Sequence, residues 1–388
     1  MKFVWAFFLA ALLWSSASAS AGTRSTLTVN GNQLLLNGAP VRLVGYGDPG
    51  ILAEKEFDYE AHFKTLKCHG LNMVRVGVQY PWANSLMPYE GMPRDVNDTV
   101  RRNRYNLTAK NKAFYQRLEK FVRAAERYGI VVQLCLFDAT ALESGANDPE
   151  KQHWANAPFN ADNNRNGYIK TPAEFFALNT PLWNTRHTSV IDNVVSTVGK
   201  YGNVIYEIGN ELDTARIPGV SRSTVVAFTR AVAIRLRDQL ARQSGSKIIS
   251  LQVGSAEFAR LVTNAAEWGG NNPISLASVH LRGSNVTDAF LAGLARCRPV
   301  IISNDGHKTQ ASQNYESALE RVAALTVLLN RVFLNRTADG VWHFDMLDRG
   351  FNGSTWPSGQ NFAPRAQNID ARVLRALQRS SVLASDCK

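Results

Sequence analysis

Short apolar runs rich in β-branched residues alternate along this chain with amphipathic stretches of helical period. The apolar runs predict eight strands, near residues 42–45 and at 71–78, 130–137, 204–210, 247–254, 274–281, 299–305 and 340–347. The amphipathic stretches predict five helices, at 59–70, 111–129, 184–202, 223–245 and 318–334. Strands that alternate with helices favour a parallel sheet covered by helices.

Eight such strands over roughly 340 residues predict an α/β fold, a (β/α)8 TIM barrel. The segment "QLLLNGAPVRLVGYG" (33–47) adds a small N-terminal β-hairpin that leads into the first barrel strand. A polar insert rich in Asn, Asp and Gly occupies 144–170. A doubly wound open sheet is the alternative fold, but no GxGxxG or GxxxxGK[ST] motif follows any strand, so we expect no nucleotide and no other cofactor.

The first 21 residues have the pattern of a secretory signal peptide. Lys2 precedes an apolar run from Phe3 to Trp14, and small residues with Ala-x-Ala steps end at Ala19 or Ala21. The run is too short to span a membrane, and no later stretch approaches the necessary length. We therefore expect one domain over residues 22–388, exported to the periplasm or the extracellular space, with no membrane association after cleavage and as a monomer.

Charge and cysteine usage exclude two functional classes. The formal net charge is +11, yet the Lys and Arg residues are scattered, and their densest run, at 100–112, lies in no nucleic-acid-binding motif. The four cysteines form no CxxC pair, so we expect no metal site. Cys135 lies in an apolar strand and is predicted to be a buried thiol. Cys297 and Cys387 either pair to fix the C-terminal tail or stay free.

Polar residues stand at the ends of several predicted strands, where a TIM barrel places its active site. They are Arg75, Asp138, Asn210, Glu211, His280, Arg282, Asp305 and Trp342. Glycoside hydrolysis needs such a set, with one carboxylic acid to protonate the leaving oxygen and a second carboxylate to attack or to activate water. We expect two of its carboxyl groups to be that catalytic pair and the other residues to bind a carbohydrate substrate.

The segment "NVIYEIGNEL" (203–212) resembles the fourth-strand motif of clan A glycoside hydrolases, most closely of glycoside hydrolase family 5. "NGAPVRLVGYG" and "LKCHGLNMVRVGV" resemble that family's first and second strands, and the resemblance extends over about residues 27–380. It implies that Glu211 is the acid/base and that Asn210 binds the sugar 2-hydroxyl. It also implies that Arg75 supports the nucleophile, that His280 binds substrate and that Trp342 stacks on the sugar.

The seventh strand departs from this family pattern. The family has Glu where "RPVIISNDGHK" has Asp305, Tyr where this chain has Arg282, and a His on the third strand, which here ends at Asp138. An aspartate sets its oxygens about 1.5 Å further back, and the carboxyl separation distinguishes retaining enzymes, at about 5–5.5 Å, from inverting ones, at about 6.5–9.5 Å. Three interpretations of Asp305 follow. It is a nucleophile on a shifted backbone, it is the base of an inverting enzyme, or it belongs to a site with little turnover. We favour the nucleophile.

Two acids beside the motif have structural interpretations. Glu207 lies four residues before Glu211 and is predicted to be structural, and Asp213 is predicted to cap a helix or loop. The main hypothesis is a secreted glycosidase that cleaves β-linked O-glycosidic bonds of a polysaccharide or oligosaccharide. The alternative is a catalytically weak or silent carbohydrate-binding barrel. An esterase has no GxSxG motif in support.

Overall fold

The computed structural model describes the strands, helices and loops of most of the chain. The described residues are 25–47, 49–55, 57–79, 86–91, 105–143, 153–214, 217, 219–280, 287–304 and 339–344. Their strands are β1 (Leu27–Asn30), β2 (Gln33–Leu36), β3 (Ala39–Pro40), β4 (Leu43–Gly47), β5 (Met73–Gly77), β6 (Tyr89–Gly91), β7 (Tyr105–Lys110), β8 (Val131–Asp138), β9 (Val204–Asn210), β10 (Ile248–Gln252), β11 (Leu276–His280), β12 (Val300–Asn304) and β13 (Gly340–Phe344).

Eight parallel strands close into a barrel, as the alternation of apolar runs predicts. Their order around the barrel is β4, β5, β8, β9, β10, β11, β12 and β13, and β13 pairs again with β4. All eight are the strands predicted from the sequence, with ends that differ by a few residues. The (β/α)8 fold is therefore confirmed, and the open-sheet alternative is wrong.

Helices cover the outside of this barrel, except for a four-residue helix in the connection after β8. They are α1 (Tyr59–Cys68), α2 (Lys112–Arg127), α3 (His153–Asn156), α4 (Thr188–Val198), α5 (Arg222–Leu240), α6 (Ala256–Thr263) and α7 (Asp288–Ala295). Side chains of Asp58, Asn111, Ser221, Ser255 and Thr287 cap the first turns of α1, α2, α5, α6 and α7. Sequence periodicity missed α6 and α7 because each has about two turns, and the predicted helix 318–334 lies outside the described residues.

A small antiparallel sheet closes the amino-terminal end of the barrel. The predicted hairpin is present as β2 and β3, and β1 adds a third strand on the other side of β2. Leu27 and Leu34 of this sheet pack against the lowest layer of the barrel interior. That layer consists of Leu43, Met73, Val131, Ile205, Ile248, Leu276 and Ile301. Burying these aliphatic side chains seals one end of the barrel.

The structure decides one alternative that the cysteine positions leave open. Cys135 is buried and free, as predicted, and Cys297 is an exposed free thiol, so of its two alternatives it stays free and does not pair with Cys387. Cys68, the last residue of α1, is disulfide-bonded instead. Cys387 and the predicted signal peptide, residues 1–21, lie outside the described part of the chain. No helix within that part is long and apolar enough to cross a membrane.

Candidate active site

Asn210 and Glu211 lie at the carboxyl end of β9, where the chain leaves the barrel. The backbone of Glu211 has a φ of 54°, in the left-handed region. The other non-glycine residues with positive φ in the described segments, Asn37 and Asn179, are asparagines, which tolerate this conformation. A glutamate there is strained, and strain of this kind concentrates at functional sites. The turn directs the Glu211 side chain toward the neighbouring strands, and the residue is only 6% exposed to solvent.

Two residues from the next strands hold Glu211 in place. The Gln252 side chain, at the end of β10, accepts the Glu211 backbone N–H over 2.6 Å. A hydrogen bond of 3.3 Å joins Glu211 Oε1 to Nδ1 of His280, the last residue of β11. Both partners are buried. The Glu211 carboxyl group is therefore oriented from both its backbone and its side-chain end, as a proton-transfer group must be.

A buried ion pair lies one layer deeper in the barrel. Arg75 Nε donates to Glu207 Oε2 over 2.6 Å, and both side chains are at most 5% exposed. Glu207 thus has the structural role predicted from its position, since it balances the charge of an arginine inside the barrel. Arg75 is not a surface charge. Its predicted contact with Asp305 concerns a residue outside the described segments.

A chain of hydrogen bonds runs from Arg75 to the end of β8. Arg75 Nη2 donates to Asn210 Oδ1 over 3.0 Å, and Asn210 Nδ2 donates to Asp138 Oδ1 over 3.1 Å. Asp138 Oδ1 also accepts the backbone N–H of Thr140 over 3.0 Å and its hydroxyl over 2.6 Å. This chain fixes the orientation of the Asn210 amide. Burial raises the pKa of the Asp138 carboxyl, and the bonds from Thr140 and Asn210 oppose that rise.

Asp213 does not face this network. Its Oδ2 accepts the backbone N–H of Gly254 over 2.7 Å, which ties the loop after β9 to the loop after β10. Burial raises the pKa of the Asp213 carboxyl, and the Gly254 bond opposes the rise. Asp213 therefore anchors a loop, in agreement with the capping role that its position suggests.

The structure brings five of the eight predicted site residues into one constellation. They are Arg75, Asp138, Asn210, Glu211 and His280. Trp342 lies in β13 in register with Ser303 and Gly45, and its side chain is outside the described part of the molecule. Asp305 and Arg282 are also outside the described residues.

Sequence analysis did not identify two residues that hydrogen-bond to members of this constellation. Gln252 ends the fifth barrel strand, and its polar side chain after an apolar run is the signal that was available. Thr140 follows Asp138 in an Asp-x-Thr turn, a pattern common enough to attract no notice. Across the described ranges, no group of three or more His, Cys, Asp or Glu side chains is arranged to hold a metal ion.

Comparison with known proteins gives similarity in structure but not in sequence. The sequence matches no protein-family model and no curated protein. The β-mannanase of the blue mussel Mytilus edulis has a similar fold, with a TM-score of 0.53 and 11% identity, over 92% of this chain and 97% of that one. The endo-1,4-β-mannanase of Rhizomucor miehei gives a TM-score of 0.53 and 14% identity, over 90% and 99%.

A third solved structure is the glycoside hydrolase family 5 mannosidase of Rhizomucor miehei. Its TM-score is 0.53 at 11% identity, and the match covers 92% of this chain and 96% of that one. Each match spans nearly the whole of both chains, so the similarity concerns the complete domain and not one motif. At these identities it establishes the architecture: this chain has the (β/α)8 barrel fold found in glycoside hydrolases of family 5.

Proposed function

We propose that this protein is a glycoside hydrolase, a divergent relative of family 5, that cleaves β-linked glycans with two carboxyl groups. The observation that supports this most directly is Glu211, a strained and nearly buried glutamate held by Gln252 and His280 at the mouth of the barrel. Glu211 protonates the glycosidic oxygen as the bond breaks and then deprotonates the incoming water. The fold shared with mannanases makes β-linked mannan the first substrate to test.

In this mechanism the other members of the constellation bind the sugar. Asn210 presents its amide beside Glu211, and the bonds to Arg75 and Asp138 fix which end of that amide faces the substrate. We expect it to bind the sugar 2-hydroxyl. Trp342 supplies a face for stacking, and Asp138 and Arg282 bind further hydroxyl groups. These roles come from strand position and from the resemblance in sequence.

The test of the acid/base role is Glu211→Gln, assayed on mannan and a panel of other β-linked glycans. Gln preserves size and loses the proton, so we expect turnover to fall by about 10²–10⁴-fold while the unfolding midpoint stays within error. Asp213→Asn is the matched control, since it is a buried acid two residues away that bonds Gly254 instead. Wild-type turnover by Glu211→Gln on unactivated glycan contradicts the assignment.

The second carboxylate is proposed to be Asp305, as a nucleophile in a retaining mechanism. A slow 2-fluoroglycoside then labels Asp305 covalently, and Asp305→Asn abolishes turnover. If Asp305 is instead the base of an inverting enzyme, no adduct forms and proton NMR shows a product of inverted anomeric configuration. Full activity of Asp305→Asn excludes both roles.

The alternative function is a carbohydrate-binding barrel with little or no turnover. The observation that favours it is the aspartate at position 305, one methylene shorter than the glutamate of the resembling family. Glycan binding by the wild-type protein, with no product released over a long incubation, would support this alternative.

Export is proposed from the N-terminal segment, and the mass of the mature N-terminus in culture supernatant or periplasm tests cleavage after Ala19 or Ala21.

A further inference from the structure

Two long connections at the carboxyl end of the barrel join into one structural unit. The first contains β6 and β7 and leads from β5 to α2; the second contains residues 153–179 and leads from β8 to α4. Tyr105 N donates to Asn163 O over 3.1 Å, and Arg165 N donates to Tyr105 O over 2.9 Å. The Asn166 side chain accepts Leu107 N over 2.7 Å. We call residues 86–91, 105–110 and 153–179 the composite wall.

The asparagines of the composite wall make it a built structure and not a loose polar loop. Asn163 Nδ2 donates to the carbonyl oxygens of Ala155 and Ala157, each over 2.8 Å. Asn164 Nδ2 donates to Phe159 O over 3.0 Å and to Asn160 O over 2.8 Å. Both side chains are buried. Buried amides that satisfy backbone carbonyls fix a loop in one conformation.

Arg186 lies at the centre of this unit, in a π-helical turn, Leu182–His187, just before α4. Its side chain is 0% exposed. The guanidinium carbon lies 4.8 Å from the ring centroid of Tyr89, in β6, and 4.2 Å from that of Phe159. Nη2 donates to Gln79 Oε1, in the loop directly after β5. One side chain thus contacts both connections, and it reaches the barrel through Gln79, whose Nε2 donates to Leu136 O of β8 over 2.9 Å.

His187 completes the contacts of the guanidinium. Burial, with Arg186 beside it, holds the pKa of His187 well below its ordinary value, so the ring is neutral. Its Nε2 lies 3.0 Å from the carbonyl oxygen of Phe175 and must donate to it. Nδ1 therefore has a free lone pair, and it accepts from Arg186 Nη1 over 3.0 Å. Arg186 is in this way also tied to the 3₁₀ turn Pro172–Phe176 of the composite wall.

Burying an arginine without a carboxylate partner costs free energy, so an arginine is unfavourable at a position that needs only packing. In the described segments no acidic side chain pairs with Arg186, and burial lowers the pKa of its guanidinium to about 10. Apolar residues of similar volume usually serve equally well or better at such sites. Its aromatic and amide contacts offset part of the cost and add a directional cross-link between three segments. The residue type therefore indicates a need for fixed geometry.

The composite wall rises from the two strands that supply Arg75 and Asp138. The backbone N–H of Trp154 donates to Glu143 O over 3.0 Å, which ties the wall to the 3₁₀ turn that follows Asp138. Trp154 and Tyr168 remain only partly buried. The wall therefore keeps aromatic surface accessible, and aromatic side chains are a common lining of ligand clefts.

We propose that Arg186 is a positioning residue that locks the composite wall onto the barrel, and that the wall binds the part of an extended glycan beyond the sugar at Glu211. This proposal rests on the proposed glycosidase function for its ligand, but the locking itself does not. Binding energy from remote sugars aids catalysis only if the wall is held at a fixed distance from the reacting bond.

Hydrogen exchange tests the lock without any substrate. In Arg186→Met we expect exchange in 86–91, 105–110 and 153–179 to rise together by about tenfold or more, with α5 unchanged, because the segments lose their shared anchor. Arg186→Lys, which keeps a cation between the two rings, should restore part of the protection. Arg235→Met, which removes an ion pair with Asp192 away from the wall, is the control. Unchanged protection of the wall, or a loss spread evenly over the barrel, overturns the lock.

Kinetics test what the wall binds. We expect Arg186→Met to lower kcat/KM on a long mannan about tenfold more than on a short aryl mannoside, mainly through KM, since only the long chain reaches the wall. Equal losses on both substrates overturn the binding role. If the wild-type protein hydrolyses no glycan, the proposed function fails, whereas the exchange experiment still decides the lock and glycan-affinity electrophoresis of Arg186→Met decides the binding.

Discussion

The amino half of the barrel interior is filled by aliphatic side chains, whereas the carboxyl half is filled by charged, amide and hydroxyl groups. The two sets come from the same strands and stand two residues apart, so they face the same way. In strand order β5, β8, β9, β10, β11 and β12, the aliphatic set is Met73, Val131, Ile205, Ile248, Leu276 and Ile301, and the polar set is Arg75, Gln133, Glu207, Ser250, Ser278 and Ser303.

The polar set meets across the interior and does not face water. Gln133 Nε2 donates to Ser278 Oγ over 3.4 Å, although β8 and β11 are not neighbours in the sheet. Ser278 Oγ lies 3.5 Å from Ser303 Oγ. The aliphatic layer can stabilise the fold by apolar burial alone, whereas a buried group in the polar layer costs free energy wherever it lacks a hydrogen bond. The amino end of the barrel therefore stabilises the fold, whereas the carboxyl end is less favourable to stability because it holds functional groups.

The largest expected effect comes from a substitution that disrupts the polar layer. Arg75→Met leaves Glu207 buried without its cation, so we expect the free energy of unfolding to fall by about 3–5 kcal/mol, measured by urea denaturation. The double variant Arg75→Met/Glu207→Leu should recover most of that loss, because the buried carboxylate that lost its cation is then removed as well. A single variant that costs less than about 1 kcal/mol would mean that the pair is hydrated, and the two layers would then differ less than we infer.

The aliphatic layer should respond in stability alone. Ile205→Ala, two residues before Glu207 on β9, removes a fully buried side chain, so we expect a loss of about 2–4 kcal/mol in the free energy of unfolding. Turnover per folded molecule should stay unchanged, since no partner of Glu211 moves. Ile234→Ala, on the outer face of α5 with the residue 41% exposed, is the matched control and should cost at most about 0.5 kcal/mol. A large fall in turnover by Ile205→Ala would contradict the separation of roles.

Sequence alone predicts much of this contrast, for identifiable reasons. The eight strands are recoverable because parallel barrel strands are buried on both faces and appear as apolar runs. Arg75 and Glu207 interrupt such runs, so their burial follows from position. Their pairing with each other does not follow, because neighbours inside a barrel depend on the stagger between strands. The same limit explains why Gln252 was missed as the partner of Glu211.

Connections are harder to predict than strands. The segment 144–170 is visibly polar, but its sequence does not show that its asparagines bond backbone carbonyls of the same segment. Nor does it show that the connection after β5 pairs with it, since loop conformation depends on contacts between segments far apart in the chain. The disulfide of Cys68 was missed for a related reason, because chain position gives no distance between two sulfur atoms.

The smallest expected effect concerns an acid at the amino end of the barrel. Asp339 directly precedes β13, its Oδ2 accepts Val300 N over 3.0 Å, and its backbone carbonyl accepts Leu43 N over 2.9 Å. Burial raises the pKa of this carboxyl from its ordinary value of 3.8 to about 6. A raised folded-state pKa contributes stability below pH 3.8 that is lost as the pH rises through 6.

Asp339→Asn removes this pH dependence and keeps an oxygen to accept Val300 N. We expect the variant to be more stable than the wild type at pH 7.5 by about 1–2 kcal/mol, a figure reduced for solvent screening because the carboxyl is partly exposed. The difference should fall close to zero near pH 2.5, where the wild-type carboxyl is protonated in both the folded and the unfolded state. Urea denaturation at these two pH values measures it. An equal difference at both would show that the carboxyl has the same pKa in the folded and the unfolded state, so that burial does not raise it, and that the amino end tolerates a charge as the carboxyl end does.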